Sequence, residues 1–407
     1  MDILLTNASV LDARQGTLLP DRHVSVNQGK IIEVSGKRPG KGADMTIDLK
    51  GRTLMPGLID GHVHVTAMTA DIATMTRMSP SYVAARASVL LRDMLMRGFT
   101  TVRDVAGCDF GLADAVDEGY FLGPRVIFGG RALSQTGGHG DVRGRGEQHV
   151  VSDYCCVNLG TICDGVAEVR RAAREEIRRG AKHIKLMVGG GVASPTDRIT
   201  STQFSLDEIT AAVEEAEAAT IYCCAHAYTP RAIQRALSCG VRSIEHGNLM
   251  DESNCELFVE KGAYYVATLS TYDALATEGI EAGLPAHMHA KVFDVLDAGR
   301  KALEMADRKG VKIVYGTDLL GVMQRHQLRE FAIRGEIQKP ADVLRGCTVT
   351  AAELINMPGQ VGVVAPGAYA DMIVVDGNPL EDLGVMQNPD KFLKLIVKMG
   401  QVVRSEL

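Results

Sequence analysis

The middle of this 407-residue chain alternates short apolar stretches with longer helical ones, and that alternation most constrains its fold. The apolar stretches lie at 58–64, 99–104, 124–129, 183–188, 221–226, 241–246, 263–268 and 311–317, with the length and β-branched content of buried strands. Between them 82–97, 166–179, 206–219 and 230–239 read as helices. Gly98, Gly180, Gly240 and Gly310 stand just before the next strand, where glycine accepts the left-handed turn that stops a helix. Crossover helices force neighbouring strands to run parallel, and eight such units predict an α/β chain organised as a (β/α)8 TIM barrel. Chemistry in such barrels gathers at the C-terminal ends of the strands, so functional residues are expected where each strand stops.

Both ends of the chain read differently. Residues 3–5, 9–11, 23–26 and 31–34 are β-like, with Asn27-Gln28-Gly29-Lys30 as a hairpin turn. A turn and strand follow at 367–376, and 393–403 reads as a closing hairpin broken at 398–401. Residues 1–57 and 357–407 are therefore expected to build one small β-sandwich domain, and 58–356 the barrel.

Several function classes are excluded early. A net charge of −6 argues against nucleic acid as a partner. No apolar run is long enough to span a bilayer, and the N-terminal Met1-Asp2-Ile3-Leu4-Leu5-Thr6 carries no leader pattern. The nine cysteines include the adjacent pairs Cys155-Cys156 and Cys223-Cys224, a poor geometry for disulfides. Reduced thiols in a cytoplasm are expected.

Histidines and acids stand at the strand ends. The first strand runs Pro56-Gly57-Leu58-Ile59-Asp60-Gly61-His62-Val63-His64. Side chains alternate along a strand, so His62 and His64 share a face and form half of a metal site. Lys185 lies inside the fourth strand, just before Gly189-Gly190-Gly191. A buried lysine resists charging, and the neutral amine can take up CO2 as an anionic carbamate that bridges two metals. Lys182 is the rival, but it has the opposite parity and lies further from the strand end. The fifth strand ends at His226 with Tyr228 after it, the sixth at His246, and the eighth at Asp318. Any one of these could be a loop or cap residue; their coincidence at one end is what points to a site.

This set, Gly57–His64 with Lys185, His226, His246 and Asp318, resembles the amidohydrolase superfamily over essentially the whole chain. Met187 to Thr196, Ala225-His226-Ala227-Tyr228-Thr229 and Ile244-Glu245-His246-Gly247-Asn248-Leu249 resemble its prolidase-like branch, related to imidazolonepropionases. That branch hydrolyses Xaa-Pro dipeptides, peptides ending in Lys or Arg, and some N-acyl amino acids and toxins. The resemblance implies two divalent metal ions: one on His62, His64 and Asp318, the other on His226 and His246. Carboxylated Lys185 and a hydroxide would bridge them. The donor set independently suits zinc.

The expected reaction is hydrolysis of an amide bond in a small-molecule substrate, a dipeptide or an N-acyl amino acid. The bridging hydroxide would attack, while Asp318 takes its proton and passes it to the leaving nitrogen. Tyr228 and His139, the latter on a long loop after the third strand, are the candidates for stabilising the oxyanion or holding the substrate. Arg131, Arg143, Arg145 or Arg198 could clamp a substrate carboxylate. His23, His149, His183, His287, His289 and His326 are read as structural, and a cysteine nucleophile is set aside because a metal already claims His226. A mononuclear deaminase is disfavoured by Lys185. Hydrolysis of a cyclic amide, a xenobiotic amide or a carbamate shares most of the ligands. A non-catalytic scaffold would not retain every ligand. Barrels of this kind are expected to form homo-oligomers.

Overall fold

The computed structural model of the chain describes residues 2–40, 42–148 and 158–407. His149, Cys155 and Cys156 lie outside the described residues.

All eight expected strands are present, as Leu58–Val63, Phe99–Asp104, Arg125–Phe128, Ile184–Met187, Cys223–Ala227, Ser243–His246, Tyr264–Val266 and Lys312–Val314. Neighbours pair in parallel, the first three in one sheet and the other five in a second. Backbone hydrogen bonds join the two sheets at both edges. Gly61 N donates to Tyr315 O (2.7 Å) and Asp318 N to His62 O (2.8 Å) at one, and Lys182 N donates to Phe128 O (2.9 Å) at the other. Most strand residues are buried on both faces, as parallel strands covered by helices must be.

Local chemistry sets the intervening helices. Ser205 and Glu208 form a capping box at the start of Leu206–Ala218, and Thr229 caps Pro230–Ser238, where Pro occupies the first turn. The four glycines expected to stop helices all have left-handed backbones: Gly98 (φ 95°), Gly180 (96°), Gly240 (95°) and Gly310 (76°).

The terminal segments build one mixed sheet of eight strands. N- and C-terminal contributions meet where Thr53–Pro56 pairs antiparallel with Met372–Val375. The expected hairpin is present, with Asn27 opposite Lys30, and Lys30 Nζ sits 3.1 Å over the ring of Tyr369. Sequence periodicity understated these strands: Ile3–Asp12 is a single strand with irregular register, not two short ones. Two strands of the second parallel sheet had no sequence signal. Ala132–Ser134 and Gly160–Ile162 pair in parallel and attach to the fourth strand at Leu133–Leu186. Among the described residues no helix is long and apolar enough to cross a membrane.

Candidate active site

The C-terminal strand ends converge on a cavity of about 70 Å3. His62, His64, Lys185, His226, His246 and Asp318 all line it, as do Tyr228 and His139. The six expected metal ligands and the two candidates beside them therefore face one space. A larger cavity of about 330 Å3 is lined by Thr66, Cys108, Arg131 and Glu176, and none of these histidines reaches it.

His62, His246 and Asp318 each offer a ligand atom, and these atoms lie within 4.8 Å of one another. His64 adjoins the cluster through Asp318 Oδ1, 3.1 Å from its Nε2, and His62 Nε2 lies 3.3 Å from the same oxygen. The ring of His226 is 4.5 Å from that of His246. Lys185 is 2 % exposed, while its rival Lys182 is exposed to solvent.

One nitrogen of each imidazole is already engaged. His62 Nδ1 lies 2.7 Å from Glu245 Oε2, His64 Nδ1 2.8 Å from Ala106 O, and His246 Nδ1 2.8 Å from Thr268 Oγ1. His226 uses Nε2 instead, 3.1 Å from Gly190 O. A ring nitrogen tied to an acceptor carries the proton, which leaves the other with a lone pair for a ligand. Glu245 is in turn gripped by Arg103, whose Nη2 lies 2.8 Å from both carboxylate oxygens, and both side chains are fully buried.

Electrostatics favour the neutral state at three of these residues, whereas burial of His64 is outweighed by Asp318, which raises it above its ordinary value. Burial pushes Lys185, His226 and His246 down from their ordinary values, so each is biased to its neutral form. Burial opposes ionisation of Asp318, but the surrounding His62, His64 and His246 outweigh it and hold the carboxyl well below the usual range. Burial raises the Tyr228 phenol, which stays protonated. The backbones of His246 (φ 76°), Thr268 (52°) and Asp318 (52°) are left-handed, a conformation that costs a non-glycine residue energy and clusters at functional sites.

Tyr228 stands just past the fifth strand, its ring 4.8 Å from His226 and 5.6 Å from His246. His139 comes in from its loop to stack on His226, with centroids 4.2 Å apart and an interplanar angle of 19°. The strand pair 132–134 and 160–162 frames the loop that brings it there. Tyr272, on the helix Leu269–Glu278, was not foreseen; its hydroxyl donates to Tyr228 Oη (3.0 Å). A lone tyrosine within a helix reads as core, so sequence carried no signal for it.

The four arginines considered for a substrate carboxylate take other places. Arg143 pairs with Asp141 (2.6 Å), Arg145 and Arg198 are exposed, and Arg131 faces the larger cavity. The site wall is instead largely apolar, with Ile72, Leu159, Val192, Leu275 and Leu320. His183 is buried and pushed well down by that burial, and His287 is exposed, as befits residues outside the site.

The chain belongs to the amidohydrolase family, whose model matches residues 53–403. It stands on the prolidase-like branch and is a hydrolase of amide bonds. It is 47 % identical to a prolidase crystallised with N-methylphosphonate-L-proline, with all of both chains covered and a TM-score of 0.97. It is 37 % identical over 375 residues to the ochratoxinase of Aspergillus niger, covering 86 % of this chain and 76 % of that one. A Xaa-Pro dipeptidase structure with bound methionine is 28 % identical, with full coverage of both chains and a TM-score of 0.89.

Proposed function

We propose that the chain is a binuclear metal-dependent amidohydrolase that cleaves the amide bond of a dipeptide or an N-acyl amino acid, in the manner of a Xaa-Pro dipeptidase. The observation that carries this reading is the convergence of four imidazoles, Asp318 and Lys185 on one cavity, with one nitrogen of each ring held by a hydrogen bond. The likeness to the prolidase holding a proline analogue supports the substrate class. The joined parallel sheets are read as a closed (β/α)8 barrel of residues 58–356, and the terminal sheet as the β-sandwich domain of 1–57 and 357–407.

The donor set fits two divalent ions, with zinc favoured by the imidazoles. His62, His64 and Asp318 would hold one and His226 and His246 the other, with Lys185 between them as a carbamate. Such a pair supplies Lewis acidity toward a carbonyl and makes water a stronger nucleophile at neutral pH. Burial keeps the Lys185 amine uncharged, the form that adds CO2.

The chain's own groups supply the rest. Ionised Asp318 takes a proton from the attacking water and returns it to the leaving nitrogen, a poor leaving group until protonated. Tyr228 donates toward the oxygen on which charge develops, and His139 holds the substrate through Nε2. Because Tyr272 donates to Tyr228, the Tyr228 proton is left free to point into the cavity. The apolar wall excludes water and receives a side chain. Cys108, Cys163, Cys223, Cys224, Cys239, Cys255 and Cys347 are free thiols, which supports a reducing, cytoplasmic setting.

A second reading, hydrolysis of a xenobiotic or cyclic amide, draws on the likeness to ochratoxinase and on the same apolar wall. The test is amino-acid release from a mixed library of dipeptides and N-acyl amino acids by enzyme prepared with zinc and bicarbonate. Release of one C-terminal residue class is expected. Silence across the library with two metals bound would transfer the assignment to the second reading.

A further inference from the structure

A single ammonium group joins two loops on the active face of the fold. Lys291 lies on the helix Ala286–Val292, which follows the seventh strand by some twenty residues. Its Nζ donates to the carbonyl oxygens of Gly191 (3.2 Å), Ser194 (3.1 Å) and Asp197 (3.0 Å), and lies 3.7 Å from Asp197 Oδ1. All four acceptors belong to the turn that follows the fourth strand. An ammonium has three protons to donate, and three carbonyls use them all. Lys291 is therefore committed to the turn and has no donor left for a substrate.

That turn in turn holds His139. His139 Nδ1 lies 2.9 Å from Ser194 Oγ and 3.4 Å from Asp197 Oδ2, and Ser194 Oγ also bonds to Asp197 Oδ1. Asp197 Oδ2 accepts from Gly191 N (3.0 Å) and Gln203 Nε2 (3.1 Å), and Gln203 Oε1 accepts from His139 N (2.8 Å). The backbone N–H and Nδ1 of His139 are thus both held. A Cβ on Gly191 would fall 2.1 Å from His139 Cε1, so the glycine run makes room for the imidazole against His226. With Nδ1 taken by the turn, Nε2 is the ring nitrogen left for a ligand.

We propose that Lys291 is a positioning residue: by strapping the turn 190–198 it sets, through Ser194 and Asp197, the direction in which His139 presents Nε2 to the substrate. This rests on the reading of His139 as a group that holds the substrate. Lys291 does not line the cavity, and its hydrogen bonds go to the turn.

The experiment compares wild type, Lys291→Met, His139→Ala and the double variant on the best substrate of the library. Deuterium uptake of the backbone amides of 189–198 and metal content are measured on each. Lys291→Met should lower kcat roughly 10- to 100-fold, the cost of a small misplacement at a catalytic centre, with KM changed less than about threefold. Metal content should hold and exchange in 189–198 should accelerate. The double variant should be no slower than His139→Ala alone. A full additional loss in the double variant, or unchanged exchange in 189–198, would overturn the proposal. Should Lys291→Met not fold, Ser194→Ala removes the hydroxyl that links the turn to His139 and must show the same dependence on His139. If wild type cleaves no amide, the assigned reaction fails, while the exchange measurement still decides whether Lys291 holds the turn.

Discussion

Glu245 Oε2 lies 2.7 Å from His62 Nδ1, and that contact fixes which nitrogen of His62 faces the site. Burial opposes the Glu245 charge, but Arg103 and His62 outweigh it and hold the carboxyl well below its ordinary range. A carboxylate here keeps the proton on Nδ1 and raises the basicity of Nε2. Replacing Glu245 by Gln should weaken zinc affinity roughly 10- to 100-fold. It also breaks a fully buried pair with Arg103, which costs on the order of 3–5 kcal/mol. Competitive zinc titration and thermal unfolding read the two effects separately, and unchanged zinc affinity would refute the assigned role.

Asp318→Asn keeps an oxygen facing His62 and His64 but removes the proton acceptor. Turnover should fall about 10²- to 10⁴-fold, the usual worth of a general acid–base group, while metal content stays near wild type. Steady-state kinetics beside elemental analysis gives the answer; full activity would contradict the role.

Lys185 must be carboxylated to serve as a bridge, and carboxylation needs CO2. Enzyme stripped of metal and reloaded with zinc in CO2-free buffer should regain little activity. The same preparation given bicarbonate should recover. Equal recovery in both would mean that Lys185 acts as a plain amine.

Glu330 provides a pH test of the scaffold. Burial pushes its carboxyl up to about 7, against the opposing charge of Arg334, and Ser270 N donates to Oε2 at 2.7 Å. A raised carboxyl means that the folded chain holds a proton the unfolded chain has released between pH about 4.5 and 7. Stability should therefore decline as pH rises through that window, by at most about 1.4 kcal/mol per pH unit from this group. Glu330→Gln should flatten the slope, as followed by melting temperatures at pH 5 and 7.5. A slope identical in both proteins would remove Glu330 as its source.

The sequence exposed what is local and periodic. Strands showed because both faces are apolar, and helix stops showed because Gly98, Gly180, Gly240 and Gly310 need left-handed backbones. That His62, Lys185, His226, His246 and Asp318 line one cavity could be expected because parallel strands joined by crossover helices all end on one side. What was hidden is nonlocal or short. Arg103 and Glu245 stand 142 positions apart, and nothing in either strand announces the other. The strands Ala132–Ser134 and Gly160–Ile162 have three residues each, too few for a period to register. Lys291 reads as an ordinary helical charge until its distance to three carbonyls is known. The arginines expected near a substrate carboxylate were suggested by loop position alone, which does not fix where a long side chain goes.

The most direct measurement is amide hydrolysis during zinc titration of the chelated enzyme in bicarbonate buffer, with the substrate found in the library. No turnover is expected from the metal-free chain, and activity should reach its plateau near two zinc ions per chain. Turnover by the metal-free protein, or none with two zinc ions bound, would contradict a binuclear amidohydrolase.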